Sequence, residues 1–502
     1  MNLSSLVQML WGRDAKFRFL LMAAVLLLFT LLGGRELWTQ EHRWADIVAG
    51  MFYRQDFLHP YLGENTYYDK PLLSYWLIAL LVKVGGAFTT WALRLPSALA
   101  GLLAIVSIYR LGSIISDKRL GLLAGWLLLT TFYFVFWART SSADMLNLAG
   151  SLFAITWYYE KREHAGFFDY AVFFMIVALT SLCKGLIGAI VPLIAVLTDV
   201  VLRKSWKHYL SWRFFLSVVP ALIVYLFPFW ASSIWGGESY QQNGLYLVYK
   251  ENILRYFQPF DHQGPIYTYF LYLPIYLLPW AVLFIPAVWG LRSRWSSMTL
   301  ASKGMVWTLF ILFAFFTLSG SRRSYYVLPM VPFAILVTAD WVLAAQEFKR
   351  QLWSAALMMV SFVLLFIALD ILPSWYYSQV GVERFATALK HEASKTQPWQ
   401  TWNVVMLDAQ SKLNFYLQLP PHTPHLGVHG SKRQEQTAAS LLKTWPVLQH
   451  KPDHTIFISR KAYASLLQPF FLGYRKVEVP MHSSWSFLKK PDQNAPIAFI
   501  PN

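Results

Sequence analysis

Apolar stretches of roughly span length recur along this chain from residue 17 to residue 373, separated by short basic or aromatic connectors. No other feature narrows the fold as far. A chain that repeats such stretches must place them in lipid, where only helices and closed barrels satisfy every backbone N–H and C=O. With ~20 residues per crossing, the stretches fall at residues 17–34, 92–112, 120–137, 143–159, 167–183, 185–202, 213–235, 266–290, 304–319, 325–344 and 353–373. The stretch 72–84, LLSYWLIALLVKV, is short for a crossing and reads as a helix at the membrane interface. A polytopic α-helical membrane protein of about 11 to 13 spans is expected.

Composition agrees. Of 502 residues, 56% are hydrophobic and only 14% charged. The net charge of +17 is dispersed between apolar segments rather than gathered in a basic soluble domain, so no nucleic-acid partner is expected. Cys183 is the single cysteine, which excludes an intrachain disulfide. No cleavable signal peptide is evident: residues 17–34 read as a retained first span, with Arg13, Lys16 and Arg18 on its cytoplasmic side.

Treating 72–84 as non-spanning puts Lys118, Arg119, Lys161, Arg162, Arg203, Lys207, Arg292, Lys303, Lys349 and Arg350 on the cytoplasmic side, as the positive-inside rule asks. The opposite face then collects Glu41, Arg43, Lys70, Arg139, Asp144, Lys184, the loop 236–265 and Arg322-Arg323. Cations on the translocated side run against that rule, and an anionic ligand is the simplest reason; snorkelling or pairing with acids is the bland alternative.

The first outer stretch, residues 37–76, holds Glu41, His42, Arg43, Asp46, Asp69 and Lys70 among Trp44, Tyr67, Tyr68, Tyr75 and Trp76. Acids that accept a proton, cations that hold a phosphate and rings that stack on a sugar lie within 40 residues. Glu41 at the wet end of a span suits a base, or a salt bridge to Arg35 or Arg43. Asp144, in WARTSSADM, heads another span, where an ionisable group is a functional candidate. Lys70 suits phosphate as a point charge, and Lys184, Arg255, Arg322 and Arg323 complete a cationic rim. Asp69 and His262 are candidate ligands for a divalent metal, a thin set of two. From residue 374 the composition turns mixed. TWNVVMLDAQ, HTIFISRKAYASLL and APIAFI read as strands of a soluble α/β-like domain over 374–502, outside the membrane, leaving 1–373 as the membrane domain with an active-site loop over 35–91. His422, His425 and His429 lie close together in its Pro/Gly-rich loop and read as solvated. Without further knowledge these features suit a membrane enzyme acting on a lipid-linked anion, or a transporter of one; the one-sided polar cluster favours the enzyme.

The order of these features resembles the lipid-linked-sugar glycosyltransferases of the GT-C fold, closest to the aminoarabinose transferases of lipid A and akin to the protein O-mannosyltransferases. QEHRW matches the family's Asp-Glu-x-Arg-Tyr with Glu41 and Arg43, Trp44 replacing tyrosine and Gln40 standing where the first aspartate is usual. YYDKPLLSYW, ARTSSADM, ENILRYFQPFDHQGPIYTY and YYVLP match further motifs. The resemblance implies transfer of a sugar from a polyprenyl-phosphate donor to an extracytoplasmic acceptor: lipid A, another envelope glycolipid, or a protein. It places the chain in a bacterial inner membrane with its active site facing the periplasm, and no cofactor is expected to be required. Glu41 and Asp144 would be catalytic, and Lys70, Arg255, Arg322, Arg323, Arg43 and Lys184 would hold the donor phosphate. Trp44, Tyr67, Tyr68 and Tyr326 would wall the sugar, and membrane lipid would surround a groove near 72–84 for the prenyl tail. A flippase for the same sugar lipid is the alternative of a different class.

Overall fold

The structure, a computed structural model, describes residues 15–38, 40–67, 70–209, 211–235, 246, 249–258, 263–344, 348–427, 437–479 and 493–502. The chain divides into two compact units, Met1–Leu32 with Thr66–Asp370, and Gly33–Asn65 with Ile371–Asn502. The break after Asp370 lies near the expected one, but the first outer segment belongs with the C-terminal residues rather than with the helices.

The first unit is a helical bundle. Among the described residues six helices are long and apolar enough to cross a membrane: Thr90–Ile115, Phe167–Lys184, Trp212–Ile234, Leu300–Leu318, Ser324–Ala344 and the run beginning at Trp353. Two further crossings are broken. Lys118–Leu129 and Phe132–Ala138 meet at 71°, and Thr268–Tyr276 and Ala281–Trp289 at 119°, which brings the total to eight if each pair is one span. The first break has a local cause: the hydroxyls of Thr130 and Thr131 turn back onto the carbonyls of Trp126 (2.6 Å) and Leu127 (2.8 Å), and such back-bonding bends helices. Pro279, which has no N–H to donate, lies in the second break.

Among the described residues, length and apolarity alone do not reach the expected eleven spans. Ala15–Phe29 and Ile187–Arg203 have 15 and 17 residues, and Ala143–Lys161 is interrupted by Asp144, Asn147, Ser151 and Thr156, all buried. The run at 72–84 forms the short helix Leu73–Gly85, as the interface reading requires.

Capping residues start several helices: Thr89 accepts from the Ala92 amide, Asp117 from Arg119 and Leu120, and Ser142 from Asp144. Small residues let neighbours approach. A Cβ on Gly112 would sit 2.8 Å from Gly121 Cα, so the helices Thr90–Ile115 and Lys118–Leu129 meet backbone to backbone. Only 22% of the apolar window of Trp212–Ile234 is covered by protein, and Phe215, Ile223 and Trp230 face outward, as lipid contact asks.

Arg139 needs no external anion. Its guanidinium donates to the carbonyls of Leu27 (2.9 Å) and Thr30 (2.8 Å) at the end of the first helix and pairs with buried Asp370 at 2.6 Å. Carbonyls in the last turn of a helix lack intrahelical partners, and Arg139 supplies donors to them. Fully buried Arg94 does the same for Leu32 O at 2.9 Å.

The second unit carries a five-stranded sheet in the order His425–Leu426, Asn403–Leu407, Thr455–Arg460, Pro496–Pro501, Tyr474–Val477. The first three strands are parallel and the last two antiparallel to their neighbours. Alternation sorts the side chains into two cores. Val404, Met406, Ile456, Ile458 and Ile500 join Phe385 and Leu389 of helix Val382–Ser394, while Val405, Leu407, Phe457 and Phe499 join Trp445, Tyr463 and Phe471. Segment 33–65 of this unit is held by Glu36, whose carboxylate pairs with Lys412 and accepts from the Val382 amide at 2.5 Å, and by Leu37, whose amide donates to Tyr416 Oη at 3.0 Å.

Candidate active site

In the first unit, the start of helix Ala143–Lys161 and the end of helix Phe167–Lys184 bring Asp144 and Lys184 into direct contact. An acid in a first turn and a cation in a last turn both suit the helix dipoles. The two side chains are about nine-tenths buried, at 11% and 9% exposure. Such a pair is weak evidence for stability, because desolvation offsets most of the attraction, so its presence points to function. The Lys184 ammonium lies 5.1 Å from the ring centre of Tyr326 and 5.9 Å from that of Tyr325, and Arg323 donates to Tyr325 Oη at 2.8 Å. The turn Ser324–Met330 thus lays two tyrosine rings and a guanidinium beside the pair. A second polar cluster joins the far end of helix Ala143–Lys161 to helix Ile187–Arg203: Asp199 takes Arg162 at 2.5 Å and Tyr158 Oη at 2.9 Å, and Arg203 pairs with Glu163 at 2.8 Å.

The outer loop enters through Tyr249–Leu254 and Arg255–Phe257. Arg255 pairs with Glu251 one turn back at 2.7 Å. Arg322, expected to hold phosphate, has its guanidinium on protein carbonyls instead: Thr317 O at 3.0 and 3.2 Å and Gly264 O at 2.5 Å. Tyr67 and Lys70 lie half-buried just before helix Leu73–Gly85, which packs on Thr90–Ile115 and Phe167–Lys184. Tyr68, Asp69 and His262 lie outside the described residues, and with them both expected metal ligands; among the described residues no three His, Cys, Asp or Glu side chains are grouped to hold a metal.

Glu41, Arg43 and Trp44 belong to the second unit, on helix Glu41–Arg54. Glu41 is fully buried and accepts from the Trp38 amide at 2.9 Å and from Arg35 at 3.4 Å, so the salt-bridge alternative describes its surroundings. Arg43 is exposed and Trp44 half-buried. Asp46 is among the acids that the sequence offers in this loop as proton acceptors, and burial pushes its carboxyl up to about 7. It lies on the turn after Glu41 in the same loop.

The family described as Dolichyl-phosphate-mannose-protein mannosyltransferase matches residues 69–225. A Shewanella sediminis protein named undecaprenyl phosphate-alpha-4-amino-4-deoxy-L-arabinose arabinosyl transferase is 27% identical over 336 residues, 64% of this chain and 59% of that protein. A Yersinia pestis protein of the same name is 28% identical over 334 residues, 63% and 58%. The chain thus spans less than two thirds of the length of the curated relatives it matches. In three dimensions it is similar to ArnT from Cupriavidus metallidurans bound to undecaprenyl phosphate, with a TM-score of 0.69 over 96% of this chain and 97% of that one at 16% identity. The chain has the GT-C fold. Other GT-C proteins share the fold more loosely: the archaeal oligosaccharyltransferase AglB from Archaeoglobus fulgidus gives a TM-score of 0.52 over 96% of this chain and 75% of that one, at 11% identity.

Proposed function

We propose that this chain is a multi-pass enzyme of a bacterial inner membrane that moves a sugar from a polyprenyl-phosphate donor to lipid A or another envelope glycolipid on the periplasmic side. The buried Asp144–Lys184 pair under Tyr325 and Tyr326 carries the reading, because it is an acid and a cation kept dry beside two rings. An acceptor oxygen attacks the anomeric carbon as the carbon–oxygen bond to the donor phosphate breaks, and the phosphate leaves with the bonding electrons. When the acceptor is a hydroxyl, Asp144 receives its proton; a phosphate acceptor has none to give. Lys70, Lys184, Arg255 and Arg323 stabilise the charge that develops on the leaving phosphate. Tyr67 and Tyr326 wall the sugar. Glu41, being fully buried, acts by holding its loop rather than by touching the acceptor. The names of the relatives support an undecaprenyl-phosphate aminoarabinose donor; the mannosyltransferase match supports a protein acceptor as the second reading.

Mass spectrometry of envelope glycolipids and glycoproteins from cells with the chain, without it and with Asp144→Asn tests this. Loss of one sugar mass from lipid A in both altered strains is the expected result. The same loss from protein moves the acceptor, whereas unchanged glycans with sugar lipid building up on the cytoplasmic side would sink the transferase in favour of a flippase.

A further inference from the structure

The turn that carries Arg255 is tied down at two places, and one tie reaches the Lys184–Asp144 pair through the backbone. Helix Phe167–Lys184 ends and helix Ile187–Arg203 begins across Gly185, whose φ of +97° only glycine adopts without strain. The second helix starts at Leu186, which has no side chain able to cap it. Asn252 supplies the cap from another segment: its Oδ1 accepts from the Leu186 amide at 2.8 Å, and it fills the space over Gly185, where a Cβ would come within 2.5 Å of that same oxygen. Lys184, the residue before Gly185, is the partner of Asp144, and Arg255 lies three residues after Asn252. Beyond Arg255, the Tyr256 carbonyl accepts from Gly320 at 2.9 Å, Tyr256 Oη donates to Phe315 O at 3.0 Å, and Arg322 clasps Gly264 O.

We propose that Asn252 is a positioning residue that sets Arg255 in register with the Lys184–Asp144 pair, with the Gly320 amide on Tyr256 O as the second anchor of the same turn. Arg255 pairs with Glu251 within its own turn, so its placement against the pair is inherited from where the turn is fastened. This rests on the reading of Arg255 and Lys184 as ligands of the donor phosphate.

The test is binding of undecaprenyl phosphate to the full chain in nanodiscs, with transfer kinetics alongside, for the wild type, Asn252→Leu, Asn252→Asp, Arg255→Ala and Asn252→Leu with Arg255→Ala. Asn252→Leu removes the acceptor and is expected to weaken binding about tenfold, the worth of one buried hydrogen bond. Asn252→Asp keeps an acceptor oxygen and is expected to restore most of the affinity. In the Arg255→Ala background Asn252→Leu should have no further effect, since a residue acting through another is not additive with it. Should leucine disturb folding, Asn252→Ala carries the same comparison. Wild-type affinity in Asn252→Leu, or losses that simply add, overturn the assignment. A wild type that binds the lipid yet transfers nothing overturns the transferase reading alone; one that binds none overturns both.

Discussion

Removing one member of the Asp144–Lys184 pair leaves the other charged and dry, which is worse than removing both. Lys184→Met is expected to destabilise the folded chain by about 3 kcal/mol, and Lys184→Met with Asp144→Asn by clearly less; thermal unfolding in detergent reads the difference, and equal losses would mean that the pair is wet. Both variants lose transfer, by about 100-fold or more if Asp144 is the proton acceptor. Asp46 sets a pH dependence of opposite sign to that of a salt-bridged acid. Its carboxyl ionises near 3.8 in the unfolded chain but only near 7 when folded. The Asp46 contribution to stability is therefore greatest below pH 4, falls as pH rises through 7 and levels off above it, by at most about 4 kcal/mol. Asp46→Asn should flatten that slope in hydrogen exchange of helix Glu41–Arg54 measured from pH 5 to 8; an unchanged slope would assign it to another group. Asp144 and Lys184 were visible in the sequence because a charge inside an apolar run is conspicuous. Arg139 is equally conspicuous, but a cation's sequence position does not say whether its partner is a ligand, an acid or a helix end 109 residues away.

At the level of elements, the helices were legible wherever apolar length alone decided them and obscure where a break or a polar face intervened. The Thr130–Thr131 bend depends on two hydroxyls choosing their own helix over solvent, which a hydropathy average cannot register. The strands around NVVML, TIFISR and PIAFIP were legible because they are apolar on both faces between turn residues, as centre strands under two layers must be. The Arg139 clasp makes a prediction about elements. It ties the end of helix Ala15–Phe29 to the residue that closes the first unit, Asp370. Arg139→Ala strands a buried carboxylate and frees two helix-end carbonyls, so a loss of about 3 kcal/mol is expected. Arg139→Ala with Asp370→Asn should recover part of it. Donor affinity of the folded fraction should not change in either; a drop in affinity would return Arg139 to the site.

On the scale of the whole molecule, the sequence separates a membrane part from a soluble part but hides that residues 33–65 fold with the soluble part. The tie is one acid in the first loop meeting one lysine 376 residues later, a pairing that no local pattern announces. Glu36 precedes Glu41, Arg43 and Trp44 by only a few residues, so the C-terminal domain is the scaffold on which that loop is built. Glu36 does two things at once: its carboxylate pairs with Lys412 and accepts the Val382 amide. The variants therefore should not be equivalent. Lys412→Ala removes an ion pair that is partly exposed, worth about 1 kcal/mol, whereas Glu36→Ala also strands a backbone donor at a helix start and should destabilise by roughly 2 to 3 kcal/mol. Exchanging the charges, Glu36→Lys with Lys412→Glu, restores the attraction but not the acceptor, so it should fall between the two. Protease sensitivity of residues 33–65 in the full chain reads this order, rising from wild type through Lys412→Ala to the exchange and then Glu36→Ala. If Lys412→Ala loosens the loop as much as Glu36→Ala, the ion pair alone holds it and the Val382 contact is incidental.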